Sequence, residues 1–122
     1  MEEKGRLPHD HGQDAAGLLS VIPDKESFRK VADAFQLISD PTRLRIFWLL
    51  CHSEQCVINI AAAAGMSPPA VSHHLKTLRS GGLIRNRRIG KETYYTLADT
   101  EEAVLVHRIA DEMFRMKCPA EG

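Results

Sequence analysis

Positive side chains with the chemistry of phosphate binding are concentrated in one stretch of this chain. Residues 66–95 carry six basic residues against one acidic residue, a net charge of +5, whereas the 122-residue chain has a formal charge of zero. The six are Lys76, Arg79, Arg85, Arg87, Arg88 and Lys91. Clustered guanidinium and ammonium groups neutralise nucleic-acid phosphates, so this stretch predicts a DNA-binding surface and leaves a more acidic surface elsewhere.

Length, composition and motifs exclude several other classes of protein. The 122 residues, 43% hydrophobic and 26% charged, are typical of one small folded domain. The sequence has no glycine-rich phosphate loop, GxSxG elbow or HExxH helix. We therefore expect that this protein is not an enzyme. No apolar run or N-terminal leader indicates a membrane partner, and three cysteines make no disulfide framework. We therefore expect a cytoplasmic protein with reduced thiols.

Apolar periodicity and capping residues predict the elements that position the basic residues. Residues 1–23 are interpreted as a flexible arm that allows a short helical turn near residues 15–19. Residues 24–118 are expected to form one winged-helix domain, mainly α with a small β-hairpin, in the order α-α-α-α-β-β-α. The elements are predicted to begin at Asp24, Asp40-Pro41, Val57, Ser67-Pro68, Leu83 and Asp99, with Gly90-Lys91 at the hairpin tip.

The third and fourth predicted helices have the spacing of a helix-turn-helix. Ala61 supplies a small residue where the helices meet, Gly65 supplies the turn, and Val71 returns an apolar anchor. The second helix of the pair presents Ser67, Ser72, His73, Lys76 and Arg79 as polar candidates for the major groove, with Pro69 near its exposed start. The hairpin carries four basic residues that are placed to contact DNA phosphates or the minor groove, namely Arg85, Arg87, Arg88 and Lys91. The rival interpretation is a winged helix that binds only proteins. Such a module would not require this basic hairpin.

Four segments together resemble one family of regulators. DPTRLRIFWLLC, EQCVINIA, SPPAVSHHLKTLRSGGLI and RRIGKETYYTLAD are similar to the ArsR/SmtB family of winged-helix repressors, over about residues 31–116. The resemblance implies a homodimer, paired through the N- and C-terminal helices, that binds double-stranded operator DNA at an inverted repeat and is released by an inducer. The first and last helices also carry more apolar residues than one small domain can cover, which favours a dimer.

The resemblance implies a first candidate inducer site at the start of the third helix. Family members that sense soft metals carry a Cys-Val-Cys box there, and this chain keeps only Cys56 of its two cysteines. The N-terminal arm offers His9 and His11, which could complete a nitrogen and sulfur ligand set with Cys56. Zinc, cadmium or arsenite would be the ion at this site. The alternative is a buried small thiol and an arm without a metal.

A second candidate site lies on the last helix, where related zinc and nickel sensors bind metal across the dimer. Asp99 is kept at the first ligand position, whereas Glu101, Glu112 and Arg115 stand at the other three. Oxygen donors favour harder ions, and a guanidinium binds no metal. We therefore prefer an ion pair between Arg115 of one subunit and Asp99 or Glu101 of the other.

The cysteines allow a third kind of switch. Cys51 on the second helix and Cys118 after the last helix resemble the layout of family members that sense persulfides or oxidants. Cys51 and Cys56 could alternatively capture a trivalent arsenical, and the structural alternative for both thiols is simple packing. His107 and Asp111, four residues apart on the last helix, are expected to pair on its surface.

Overall fold

This computed structural model describes residues 7–9 and 11–115, which contain six helices and three short strands. The elements in chain order are α1 (Ala15–Val21), α2 (Lys25–Leu37), α3 (Pro41–His52), β1 (Gln55–Cys56), α4 (Val57–Ala64), α5 (Pro68–Ser80), β2 (Ile84–Ile89), β3 (Glu92–Leu97) and α6 (Glu101–Phe114). The predicted winged-helix fold is confirmed. The short helical turn expected near residues 15–19 is present as α1, and one element is additional, the two-residue strand β1 before α4.

Side-chain caps fix where the main helices begin. Asp40 accepts a hydrogen bond from the Arg43 backbone N–H at 2.8 Å, and Pro41 follows it at the first helical position of α3. Before α6, the capping residue is Thr100 and not Asp99 as predicted, because the Thr100 hydroxyl accepts from the Ala103 N–H at 3.1 Å. The same hydroxyl donates to the Gly82 carbonyl at 3.0 Å and so ties α6 to the end of α5.

The core lies where α3, α4, α5 and the start of β2 meet. Its largest fully buried side chains are Phe47, Ile46, Leu50, Ile60, Leu75, Leu78, Leu83 and Val71. Gly65 ends α4 in the left-handed conformation at φ +67°, and the next N–H, of Met66, returns to the Ala61 carbonyl at 3.0 Å. This turn sets the crossing of α4 and α5, so the predicted helix-turn-helix is present.

The wing is the hairpin of β2 and β3, and it belongs to a three-stranded antiparallel sheet in the order β1-β3-β2. The hairpin register pairs Ile89 with Glu92, which leaves Gly90 and Lys91 as a two-residue turn. Gly90 has φ +64°, the sign that a type II′ turn needs at its first central position. On the other side of β3, Cys56 in β1 pairs with Tyr94, so the segment that leads into α4 is held against the wing.

The described chain forms two compact units, the first ending at Val31 and the second beginning at Ala32 within α2. The boundary after residue 23, between an arm and the winged-helix domain, stays a prediction. Large apolar side chains are exposed on α6, with Leu105 at 51% and Met113 at 79% of full exposure. Among the described residues, every helix is too short or too polar to cross a bilayer.

Candidate nucleic-acid interface and ligand clusters

The outward face of α5 carries the predicted groove-reading residues. All six are exposed, namely Ser67, Pro69, Ser72, His73, Lys76 and Arg79. Val71, Leu75 and Leu78, on the opposite face, are buried in the core. Hydroxyl, imidazole and cationic groups therefore project together from a helix whose other side is fixed. The Ser67 hydroxyl is also the cap of α5 and accepts from the Ala70 N–H at 3.3 Å.

The four predicted basic residues of the wing are exposed on β2 and at the turn. They are not equally available to DNA, because Arg87 binds Glu54 through two hydrogen bonds, Nε to Oε2 and Nη2 to Oε1, each 2.7 Å long. This guanidinium holds the pKa of the Glu54 carboxyl below its ordinary value. Arg85 Nη1 lies 3.7 Å from Asp99 Oδ2, and Arg88 donates to the Gly90 carbonyl at 3.3 Å. Sequence reasoning did not find Glu54 as a partner of the wing.

Backbone hydrogen bonds fix the wing relative to α5. The Leu83 N–H donates to the Leu78 carbonyl at 3.1 Å, and the Ala98 N–H donates to the Leu83 carbonyl at 3.0 Å. Both ends of the hairpin are thus anchored at the end of α5. A polar helix face and a cationic hairpin held in one unit have the chemistry to contact base edges and phosphates together.

The residues of the first candidate inducer site belong to different units. The rings of His9 and His11 stack in the first unit, with centroids 5.8 Å apart. Cys56 is buried in the second unit, where it ends β1 and precedes α4. For the thiol switch, Cys51 is half-buried on α3, and Cys118 lies outside the described residues.

The predicted ligands on α6 are exposed carboxylates. Asp99 is close to the Arg85 guanidinium, and its side chain is 86% exposed. Glu101 begins α6 and Glu112 lies near its end, both on the surface. Arg115 follows the helix in the left-handed conformation at φ +57°. Within one chain this arrangement gives no zinc-type donor set, since it offers oxygen atoms and a guanidinium.

A different group of possible metal ligands lies where the end of α3 meets α6. The sequence analysis did not predict this group. His52, His107 and Asp111 each offer one ligand atom, and these atoms lie within 4.8 Å of one another. His107 Nε2 is 3.1 Å from Asp111 Oδ2, and His52 Nε2 is 3.7 Å from Asp111 Oδ1. The predicted His107–Asp111 pair is present, but its expected surface location is wrong, because both side chains are only 13% exposed. No signal in the sequence placed His52 beside them.

Comparison with known proteins identifies relatives that match between about two thirds and four fifths of this chain. The family model for bacterial regulatory proteins of the arsR family matches residues 40–86. The transcriptional repressor SmtB homolog of Synechocystis is 41% identical over 70% of this chain, and this chain spans 64% of that protein's length. The regulator NmtR of Mycobacterium tuberculosis is 35% identical over 79% of this chain and 80% of its own length. A Staphylococcus aureus relative, described as a cadmium resistance transcriptional regulatory protein and CadC homolog, is 35% identical over 69% of this chain and 70% of its own length.

Solved structures share the fold. The homodimeric winged helix-turn-helix DNA-binding domain Mb0332 of Mycobacterium bovis is 34% identical, with a TM-score of 0.63 over 79% of this chain and 94% of that one. The transcriptional repressor BigR of Xylella fastidiosa is 27% identical, with a TM-score of 0.66 over 75% of this chain and 89% of that one. With the helix-turn-helix, the basic wing and these relatives together, the chain belongs to the ArsR/SmtB family of winged-helix transcriptional regulators.

Proposed function

We propose that this protein is a homodimeric transcriptional repressor that binds an inverted-repeat operator and is released by a metal ion of the zinc, cadmium or arsenite class. It would act in the cytoplasm, where its operator lies. The observation that carries the proposal is the pairing of an exposed polar α5 face with a basic wing in one unit. Residues 66–95, which contain α5 and most of the wing, carry a net charge of +5.

The DNA contacts divide by element. Ser72 and His73 on α5 are suited to base edges, because their donors and acceptors are short and held on a fixed helix. Lys76, Arg79 and Lys91 form no ion pair within residues 7–9 and 11–115, so their charges are available to phosphates. Phosphate contacts set the position of the helix, and base contacts select the sequence.

The proposed dimer rests on exposed apolar surface. On α6, Val104, Leu105, Met113 and Phe114 are 43–79% exposed, which is more than a small monomer usually leaves in water. Phe114 also lines an open apolar groove of about 420 Å³ with Pro41, Leu44, Arg45 and Trp48. The M. bovis relative is homodimeric. A two-fold dimer would present two α5 helices about 34 Å apart, which matches two half-sites one DNA turn apart.

The proposed inducer class rests on relatives and on donor chemistry. One relative is described as a cadmium resistance regulator. This chain offers buried imidazole, carboxylate and thiol groups, which suit borderline and soft ions better than the exposed carboxylates of α6 do. An inducer must bind the DNA-free conformation more tightly than the DNA-bound one.

Fluorescence anisotropy with DNA from the gene's own upstream region tests the proposal. We expect the logarithm of the binding constant to fall steeply with the logarithm of the salt concentration, by about 0.9 for each phosphate neutralised. Arg88→Ala should weaken binding to all sequences and reduce that slope by about one, because it removes one phosphate contact. Arg108→Ala, which removes an exposed arginine from α6, is the matched control. Salt-independent or absent binding would favour a winged helix that binds only proteins.

A further inference from the structure

We propose that His52, His107 and Asp111 bind one divalent ion of the zinc class within each chain, joining the end of α3 to α6. The donor set is two imidazole nitrogens and one carboxylate oxygen, which is a set that zinc uses with a water as fourth ligand. This inference deepens the proposed function, since it places the effector ion, and its regulatory part rests on that function. The candidate set Asp99, Glu101 and Glu112 shares none of these residues.

The charge of Asp111 supports the site. Asp111 is only 9% exposed, and within the described chain the ion-pair partners of its carboxylate are both imidazoles. His107 Nε2 and Asp111 Oδ1 are buried, and neither forms a hydrogen bond among the described residues: their contacts, 3.1 Å from His107 Nε2 to Asp111 Oδ2 and 3.7 Å from Asp111 Oδ1 to His52 Nε2, are ion pairs only. Buried polar atoms without partners are costly, and a bound cation would satisfy both at once.

The geometry needs only side-chain adjustment to receive an ion. Tetrahedral zinc with ligand distances near 2.0–2.1 Å places its donor atoms about 3.3 Å apart. The donor atoms already lie within 4.8 Å of one another, with one pair at 3.1 Å. His107 and Asp111 are one helical turn apart on α6, and His52 approaches from α3 with its ring edge-on to that of His107, centroids 5.1 Å apart. Rotation of the side chains can therefore close the set.

The site is placed to affect the wing. His52 is the last residue of α3, and Glu54, two residues later, holds Arg87 of the wing through the two 2.7 Å hydrogen bonds. The next residues form β1, which pairs with β3. Binding of an ion would fix His52 against α6 and thereby bias the segment that holds the wing. A shift in DNA affinity follows only if the ion prefers the DNA-free arrangement.

Trp48 provides a direct probe of ion binding. It is the one tryptophan in the sequence, and its ring lies against His52 with centroids 4.4 Å apart. The full-length, reduced protein would be titrated with Co²⁺ and then Zn²⁺ while Trp48 emission and the visible absorption of Co²⁺ are recorded. We expect one ion per chain, a change in Trp48 emission, and an absorption spectrum without a thiolate band. A thiolate band that disappears in Cys56→Ser would overturn the assignment.

Substitutions separate this site from the other candidates. His52→Gln and Asp111→Asn should each weaken Zn²⁺ binding at least tenfold, because each removes one of three protein ligands. Cys56→Ser, His11→Gln and Glu112→Gln are matched controls and should change it less than twofold. Unchanged affinity in both ligand variants would contradict the proposal. If the variants fail to fold, imidazole NMR of the unmodified protein decides instead, since Zn²⁺ must shift the His52 and His107 ring signals and leave those of His11 unchanged.

DNA binding is measured separately, so that the two proposals can fail independently. Zn²⁺ should lower the affinity of the unmodified protein for its operator at least tenfold and should have less than a twofold effect on Asp111→Asn. Ion binding at the three ligands without any change in DNA affinity would overturn the regulatory part of this inference. A protein that binds Zn²⁺ at these ligands but binds no DNA would instead contradict the proposed function and leave the metal site in place.

Discussion

Arg87 on the wing and Glu54 after α3 form a two-pronged ion pair, with both nitrogen–oxygen distances at 2.7 Å. The Arg87 side chain is 65% exposed and that of Glu54 is 30% exposed, so the pair lies at the surface beside the strands that carry the wing. A fork of this kind matches the geometry with which arginine binds a phosphate. In the proposed complex with DNA, Glu54 would therefore compete with a phosphate for Arg87.

Glu54→Gln should increase DNA affinity severalfold. The substitution weakens the hold on Arg87, which becomes available to a phosphate, and removes a negative charge from beside the wing. One additional phosphate contact steepens the dependence of the logarithm of the binding constant on that of salt by about 0.9. Anisotropy titrations at several salt concentrations give both quantities.

Glu92→Gln is the matched control for that prediction. It removes the same charge from the start of β3, but Glu92 does not hold a wing arginine in the described structure. We expect a small increase in affinity with an unchanged salt slope. Equal slopes for Glu54→Gln and the unmodified protein would show that Arg87 does not gain a phosphate contact.

The Glu54–Arg87 pair also predicts a pH dependence of stability. Arg87 lowers the pKa of Glu54 in the folded state, so the pair stabilises the fold fully above the unfolded-state pKa of about 4.3. That stabilisation is lost as the pH falls through the lower folded-state pKa. Urea unfolding of the unmodified protein and of Glu54→Gln should therefore differ by a constant amount near neutral pH and converge in acid. A difference that grows on acidification would contradict the pair.

Leu105→Asp should weaken the proposed dimer. Leu105 is 51% exposed on α6, and a carboxylate there would be buried at an apolar interface. Sedimentation should show a larger monomer fraction, and affinity for an inverted repeat should fall at least tenfold while affinity for a single half-site stays constant.

Ile58→Asp is the control for the dimer prediction. Ile58 is 62% exposed on α4, outside the two helices that the resemblance assigns to pairing. It should leave sedimentation unchanged. If Ile58→Asp dissociates the protein and Leu105→Asp does not, the interface lies elsewhere.

Asp40→Ala should destabilise the fold by about 0.5–2 kcal/mol, the usual range for loss of an N-cap side chain. Its carboxylate accepts from the Arg43 N–H at 2.8 Å, and α3 supplies the core residues Ile46, Phe47 and Leu50. The free energy of unfolding in urea checks this. Asp33→Ala, an exposed position within α2, should stay within about 0.5 kcal/mol of the unmodified protein.

Local signals in the sequence were sufficient for most of the fold. Asp40-Pro41 and Ser67-Pro68 mark helix starts through short-range hydrogen bonds, and both caps are present. Gly90 and Lys91 marked the hairpin turn because a two-residue loop needs positive φ at the glycine. The exposed face of α5 followed from the spacing of Val71, Leu75 and Leu78.

Features that depend on packing between distant segments were not predictable. β1 has two residues, too few for a period-2 pattern, and exists because Cys56 pairs with Tyr94. Glu54 and Arg87 are 33 positions apart, and His52 is separated from His107 by most of the domain. Such pairs meet only once the core has oriented α3, β2 and α6. The sequence identified the chemistry of the wing but not the carboxylate that holds it.

The most direct test of operator recognition is hydroxyl-radical footprinting of the purified protein on its own upstream DNA. The proposal predicts two protected half-sites in an inverted repeat, with centres about one helical turn or a multiple of it apart. Protection should be lost in Ser72→Ala/His73→Ala and retained in Arg108→Ala, because only the first variant alters the outward face of α5. Uniform protection without half-sites, or no protection at low salt, would contradict the proposed function.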